Sequence, residues 1–170
     1  MSRTLLIIYE NSKSNYFLDN KIGGVVTACN RLIEMHKDLN IKYEIYKYFD
    51  FGDKLNFLYP LRLTLDVFNM IFKTINVKYS YCVCDHSSII RTIIYLLIAK
   101  LLFTKKLYFL DIRGGGNKVR LDKNQKNYIS LLLFMAYKLA DKIILQTPNK
   151  NCIPHNFHPK IVFFPNTIYD

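Results

Sequence analysis

The sequence predicts an α/β domain built on a doubly wound parallel sheet. Three observations point there. Apolar runs of strand length alternate with longer stretches of helical periodicity along all 170 residues, the pattern of a parallel sheet covered by helices. The first run, residues 4–9 (TLLIIY), is apolar without a break, as strands buried on both faces are. Glycines follow two of the strands, Gly23 and Gly24 after the first and Gly114, Gly115 and Gly116 after the fourth. Those positions lie beyond strand carboxyl ends, where such sheets hold their ligands.

The elements follow in order. After strand 4–9 a polar stretch leads to Gly23-Gly24 and a helix over 25–39. Val25, Cys29, Leu32, Ile33 and Met35 or His36 mark its apolar stripe. Residues 42–48 (KYEIYKY) alternate and read as a strand; 51–57 form a loop. Pro60 stands near the start of a helix over 61–75, a position proline suits. Residues 79–84 are the third strand, and Ser87 or Ser88 is placed to cap a helix over 89–103. Residues 106–110 are the fourth strand, 127–139 an apolar helix, 142–146 the fifth strand and 160–164 the sixth, closed by Pro165-Asn166. Right-handed crossovers through such a series give a Rossmann-like doubly wound fold. The chain ends just after a strand, which predicts a piece of a longer protein.

Composition bounds the partners. The chain is 51% hydrophobic and 15% aromatic, enough for a single core and too apolar for a disordered chain. Its formal net charge of +11 favours anionic partners: phosphates, nucleotides, nucleic acid or an acidic membrane face. No nucleic-acid module is recognisable, so nucleic acid is not expected. Cys29, Cys82, Cys84 and Cys152 form no CxxC pair, which suggests core thiols in a reducing compartment. The longest apolar segment, 89–103, is interrupted by Arg91, Thr92 and Lys100 and is too short for a bilayer span of about 20 residues. The expected location is the cytoplasm, with peripheral contact at the inner face of an anionic membrane as an option. The helix over 61–75, rich in Leu, Phe, Ile and Met with Arg62 and Lys73 near its ends, would suit such contact if one apolar side were left open.

Two loops carry the chemistry. Neither GxGxxG nor GxxxxGK[ST] is present, which removes the main support for a nicotinamide or ATP-hydrolysing site. Gly23-Gly24 stands at a helix N-terminus, where unpaired N–H groups favour an anion. The second loop, LDIRGGGNK over 110–118, joins Asp111 and Arg113 to three glycines, Asn117 and Lys118. From Arg113 to Lys126 there are five bases and one acid, Asp122. A glycine turn ringed by cations suits phosphate. Both loops leave carboxyl ends of parallel strands, so they are expected at one edge of the sheet. His86, at the end of the third strand, is expected either to line that edge or to lie in the turn that starts the next helix. His155 and His158 lack a partner at zinc spacing, and no metal site is expected.

Four stretches together resemble the N-terminal half of a GT-B-fold glycosyltransferase of the retaining family 4: IIYENS with KIGGVVTACNRLIEMHKDL, LDIRGGGNK, KLADKIILQTPN and KIVFFPNTIYD. The likeness runs over essentially the whole chain. It implies transfer of a sugar from a nucleotide-sugar donor to a saccharide or lipid-linked saccharide acceptor, with retention. It implies no obligatory metal and no cofactor, the nucleotide-sugar being a co-substrate. Gly23 and Gly24 would lie near the donor phosphates. Asp111, Arg113, Gly114, Gly115, Gly116, Asn117 and Lys118 would face the reacting sugar and acceptor. Many relatives carry a histidine where this chain has Asp111; a carboxylate cannot donate a hydrogen bond there. Asp111 is therefore expected to orient Arg113 or the acceptor hydroxyl, or to cap the turn. The resemblance also implies a second, donor-binding domain with paired glutamates, for which this chain has no room. On that reading residues 1–170 are the acceptor-side domain and inactive alone.

Overall fold

The computed structural model describes residues 3–10, 32–49, 59–84, 88–112, 123–145 and 153–163. Six strands run through it: β1 (Thr4–Glu10), β2 (Tyr43–Phe49), β3 (Tyr79–Cys84), β4 (Leu107–Ile112), β5 (Lys142–Leu145) and β6 (Ile161–Phe163). Between them lie α1 (helical at 32–38), α2 (Tyr59–Thr74), α3 (Ile89–Leu102), α4 (Lys123–Leu139) and a 3₁₀ turn, His155–Lys160. All strands pair in parallel, in the order β2-β1-β3-β4-β5-β6. The expected Rossmann-like doubly wound α/β fold is thus the one observed.

Burial explains why this sequence forms that sheet. Leu5 and Leu6 are successive and both fully buried. Successive strand side chains point to opposite faces, so β1 is covered on both. Leu5 and Ile7 enter a core with Met70 of α2, Leu96 of α3, Ala136 of α4 and Leu110 of β4. Leu6 and Ile8 pack on the other face with Leu32 of α1 and Val83 of β3. The chain steps one way from β1 to β2 and the opposite way from β2 onward. With right-handed crossovers that reversal puts α1 on one face and α2, α3 and α4 on the other, which is the arrangement seen.

Helix ends are closed by specific groups. Asn40 takes a left-handed backbone (φ 55°) after α1, and Ile41 N–H donates to the His36 carbonyl at 2.9 Å, the wrap-back that asparagine permits. Lys106 Nζ donates to the carbonyls of Thr74 and Ile75 at the end of α2. Lys160 Nζ donates to those of Tyr137, Lys138 and Ala140 at the end of α4, at 3.1, 3.0 and 2.6 Å. An ammonium also complements the negative end of a helix dipole.

Several local expectations change. Ser88 holds the N-cap position of α3 but its side chain makes no capping hydrogen bond; its carbonyl instead accepts from Thr92 N–H and Thr92 Oγ1. Ser87 lies outside the described residues. β4 runs on to Ile112 because its pairing with β3 continues to Cys84↔Ile112. α4 begins at Lys123, ahead of the apolar pattern, since its first turn is wholly polar. Of Met35 and His36, the alternatives for the apolar stripe of α1, His36 is the buried one: its Nδ1 lies 2.8 Å from the Leu32 carbonyl and its ring meets Tyr43 edge-on. Arg91 does not interrupt its helix at the surface. It is buried, with Nε 3.2 Å from Asp66 Oδ2, while Tyr46 donates to Asp66 Oδ1 at 2.9 Å. That cluster ties β2, α2 and α3 together, and burial with the Asp66 charge pushes the Tyr46 phenol well above its ordinary range.

Candidate functional site

The sheet itself marks out a crevice. β1 pairs with β2 along its whole length, to Glu10↔Phe49. Its pairing with β3 runs only from Thr4↔Tyr79 to Ile7↔Cys82. β3 continues with β4 to Cys84↔Ile112. β1 and β3 therefore part company over their last residues, where the strand order reverses. Open α/β sheets bind ligands beyond the carboxyl ends of strands at this reversal, which in a 2-1-3-4-5 order falls between β1 and β3. The segment after β1 holds Gly23 and Gly24, that after β3 holds His86, and that after β4 holds Arg113, Gly114, Gly115, Gly116, Asn117 and Lys118. All three strands are parallel, so all three segments depart from this edge.

Of the predicted site residues, Asp111 is described. It is the penultimate residue of β4 and is 1% exposed. Tyr81, on the neighbouring strand, donates its hydroxyl to Asp111 Oδ2 at 3.1 Å. The register explains the contact. Tyr81 pairs with Phe109 and Val83 with Asp111, so Tyr81 and Asp111 share one face at a diagonal. Tyr81 also stacks on Phe109, at 6.1 Å between ring centroids and 12° between planes. The aspartate is thus anchored to the sheet and turned away from solvent. Gly23, Gly24, His86, Arg113, Gly114, Gly115, Gly116, Asn117 and Lys118 lie outside the described residues.

Tyr81 escaped the sequence reading. β3 reads YSYCVC, and a strand tyrosine is normally taken as packing surface. The signal available was register alone: β3 lies beside β4 in the parallel sheet, and the pairing of Tyr81 with Phe109 sets Tyr81 diagonal to Asp111. The Tyr46–Asp66–Arg91 cluster escaped for a related reason. Its members are far apart in sequence and join only when α2 and α3 lie side by side on the sheet.

Cys82 is buried in the core and forms no disulfide. Among the described residues no group of three or more His, Cys, Asp or Glu is arranged to hold a metal ion. His155 and His158 face each other at 4.7 Å between centroids, and His158 Nε2 lies 3.1 Å from the Ile153 carbonyl. Among the described residues no helix is long and apolar enough to cross a membrane. No protein-family model matches the chain, and no curated protein matches it.

Proposed function

We propose that this chain is the N-terminal, acceptor-side half of a GT-B-fold retaining glycosyltransferase of the family 4 type. It works in the cytoplasm, at the inner face of a membrane, on a saccharide or lipid-linked saccharide acceptor. One observation carries the reading: β1, β3 and β4 end at one edge where β1 and β3 separate, and the segments bearing Gly23-Gly24 and Arg113–Lys118 leave from that edge. Sugar transfer from a nucleotide diphosphate releases negative charge on the leaving phosphate. Backbone N–H groups at the glycines and the cations Arg113 and Lys118 offset that charge without a metal. Asp111, fixed by Tyr81, is the positioning residue at the root of the loop. A second, donor-binding half completes the enzyme.

The strand order favours a second reading as well. The 2-1-3-4-5 series is also that of flavodoxin-like modules that hold a nucleotide or phosphate without catalysis. One experiment separates them. The protein that contains this chain together with its donor half is given nucleotide-sugars labelled in the sugar. The expected result is label in a saccharide or lipid fraction. Arg113→Ala lowers transfer by about 10²-fold, with an unchanged melt, and Arg113→Lys stays impaired because the planar fork is lost. Nucleotide binding without transfer supports the second reading. Full activity in Arg113→Ala overturns the role given to the glycine loop.

A further inference from the structure

α2 is apolar on two sides. Val67, Met70 and Thr74 face the core. Leu61, Leu65, Phe68, Phe72 and Ile75, at steps of four and three residues, form a stripe in which every member is more than half exposed. The stripe borders a groove of about 420 Å³ between α2 and α3, lined by Val67, Phe68 and Ile71 from one helix and Ile94, Ile98 and Leu102 from the other. Leu101, at 74% exposure, extends it along α3. A solvated helix face is normally polar, and an apolar patch of this extent marks an interaction surface.

Charge identifies the occupant. Among the described residues the acids on this side are each paired with a cation: Asp66 with Arg91, Glu44 with Lys73 and Asp141 with Lys100. The helices run against the strands, so the apolar stripe ends at the amino edge of the sheet. A cation stands at or just before the start of every strand there: Arg3, Lys42, Lys78, Lys106, Lys142 and Lys160. The first four are neighbours, since Thr4 N–H donates to the Lys42 carbonyl, Lys78 N–H to Arg3 and Leu107 N–H to Lys78. Lys78 follows Ile75 by three residues and Lys105 follows Leu102 by three; both are exposed. An apolar stripe that ends in exposed lysines matches the acyl and headgroup layers of an anionic bilayer. A second copy of this chain would instead bring two surfaces of one sign together, each from a molecule of net charge +11.

We propose that the outer face of α2 and α3, with Lys78 and Lys105 at its basic end, docks this protein on an anionic lipid bilayer. The claim is independent of sugar transfer and is read without it. The full chain is sedimented with vesicles of phosphatidylglycerol and phosphatidylcholine, and with phosphatidylcholine alone. Binding is expected to the anionic vesicles and to weaken with salt. Phe68→Ser with Phe72→Ser, and separately Lys78→Glu with Lys105→Glu, should each lower it about tenfold or more, with circular dichroism melts unchanged. If the serine pair lowers the melt, Leu65→Gln with Leu101→Gln gives the same reading. Wild-type protein that stays unbound, or apolar variants that bind as tightly as wild type, overturns the proposal. So does a stable dimer in sedimentation velocity that the serine pair dissociates, since the occupant is then a second copy.

Discussion

Asp66 ties α2 to two other elements of the fold. Its two carboxylate oxygens serve different elements, Oδ1 accepting from Tyr46 of β2 and Oδ2 facing the buried Arg91 of α3. Removing one partner of a buried ion pair leaves the other charge in a poor solvent. Asp66→Ala should therefore destabilise the protein by about 3 kcal/mol, read as a shifted urea midpoint with an unchanged slope. The double variant Asp66→Leu with Arg91→Met should recover most of that loss, because a well-packed apolar pair often equals a buried ion pair. If the double variant is no better than Asp66→Ala, the cluster acts through more than this pair. None of this was legible in the sequence, where Arg91 reads as a charge that interrupts an apolar segment. Asp111 was legible as a residue at the root of the glycine loop, because its place at a strand end needs only the strand to be recognised. Its burial against Tyr81 was not, because that needs the register of two strands that a whole helix separates along the chain.

The elements themselves were legible where periodicity decides them. β1 and β3 were found at nearly their full extents, because an unbroken or alternating apolar run of that length suits a buried strand far better than a helix or a loop. The ends were less legible, because helix termini depend on contacts from distant residues. Lys160 shows this. It lies at the start of β6 in sequence, yet its ammonium accounts for three carbonyls at the end of α4. Lys160→Met keeps the aliphatic stem and deletes the donor. The expected cost is about 1–2 kcal/mol, the desolvation penalty of carbonyls left without that partner. Hydrogen exchange should quicken in the last turn of α4 more than in α3. Equal protection in both helices would show that Lys160 merely rests on the surface of α4. The same reasoning applies to Lys106 and the end of α2. Burial lowers the proton affinity of both ammonium groups, and the charge of Lys100 adds to the effect at Lys160.

At the scale of the whole molecule the β-α alternation was sufficient to give a parallel, doubly wound sheet, because few other architectures accommodate it. The strand order and the parting of β1 from β3 came from the structure. The same core sets how the fold answers to alkali. Tyr95 is fully buried and donates to Ser80 Oγ at 2.9 Å, with Thr74 Oγ1 at 2.8 Å. Tyr108 is fully buried and donates to the Ala99 carbonyl at 3.0 Å. Burial raises both phenols, Tyr95 well above its ordinary range and Tyr108 to about 12, the latter with help from Asp141. In an unfolded chain a phenol ionises near 10. A raised folded value contributes stability that is fully present below about pH 10 and is lost as pH rises through the folded value. Between those points the unfolded state holds fewer protons, so each such phenol lowers stability by about 1.4 kcal/mol per pH unit. Lys106 and Lys160, with lowered values, act in the opposite sense below their unfolded value of about 10.4, and both keep part of their surface in water. The phenols therefore dominate. A titration is followed by phenolate absorbance and far-ultraviolet circular dichroism. It should show a first group of solvent-facing phenols ionising with the dichroism intact. A second, cooperative group should then ionise as the helical signal collapses. Tyr108→Phe should remove one proton from that second step and flatten the loss of stability above about pH 10. Smooth ionisation of all the tyrosines near pH 10 with native dichroism throughout would show that water reaches the hydroxyls of Tyr95 and Tyr108, and that the contact between α3 and the sheet is looser than their burial implies.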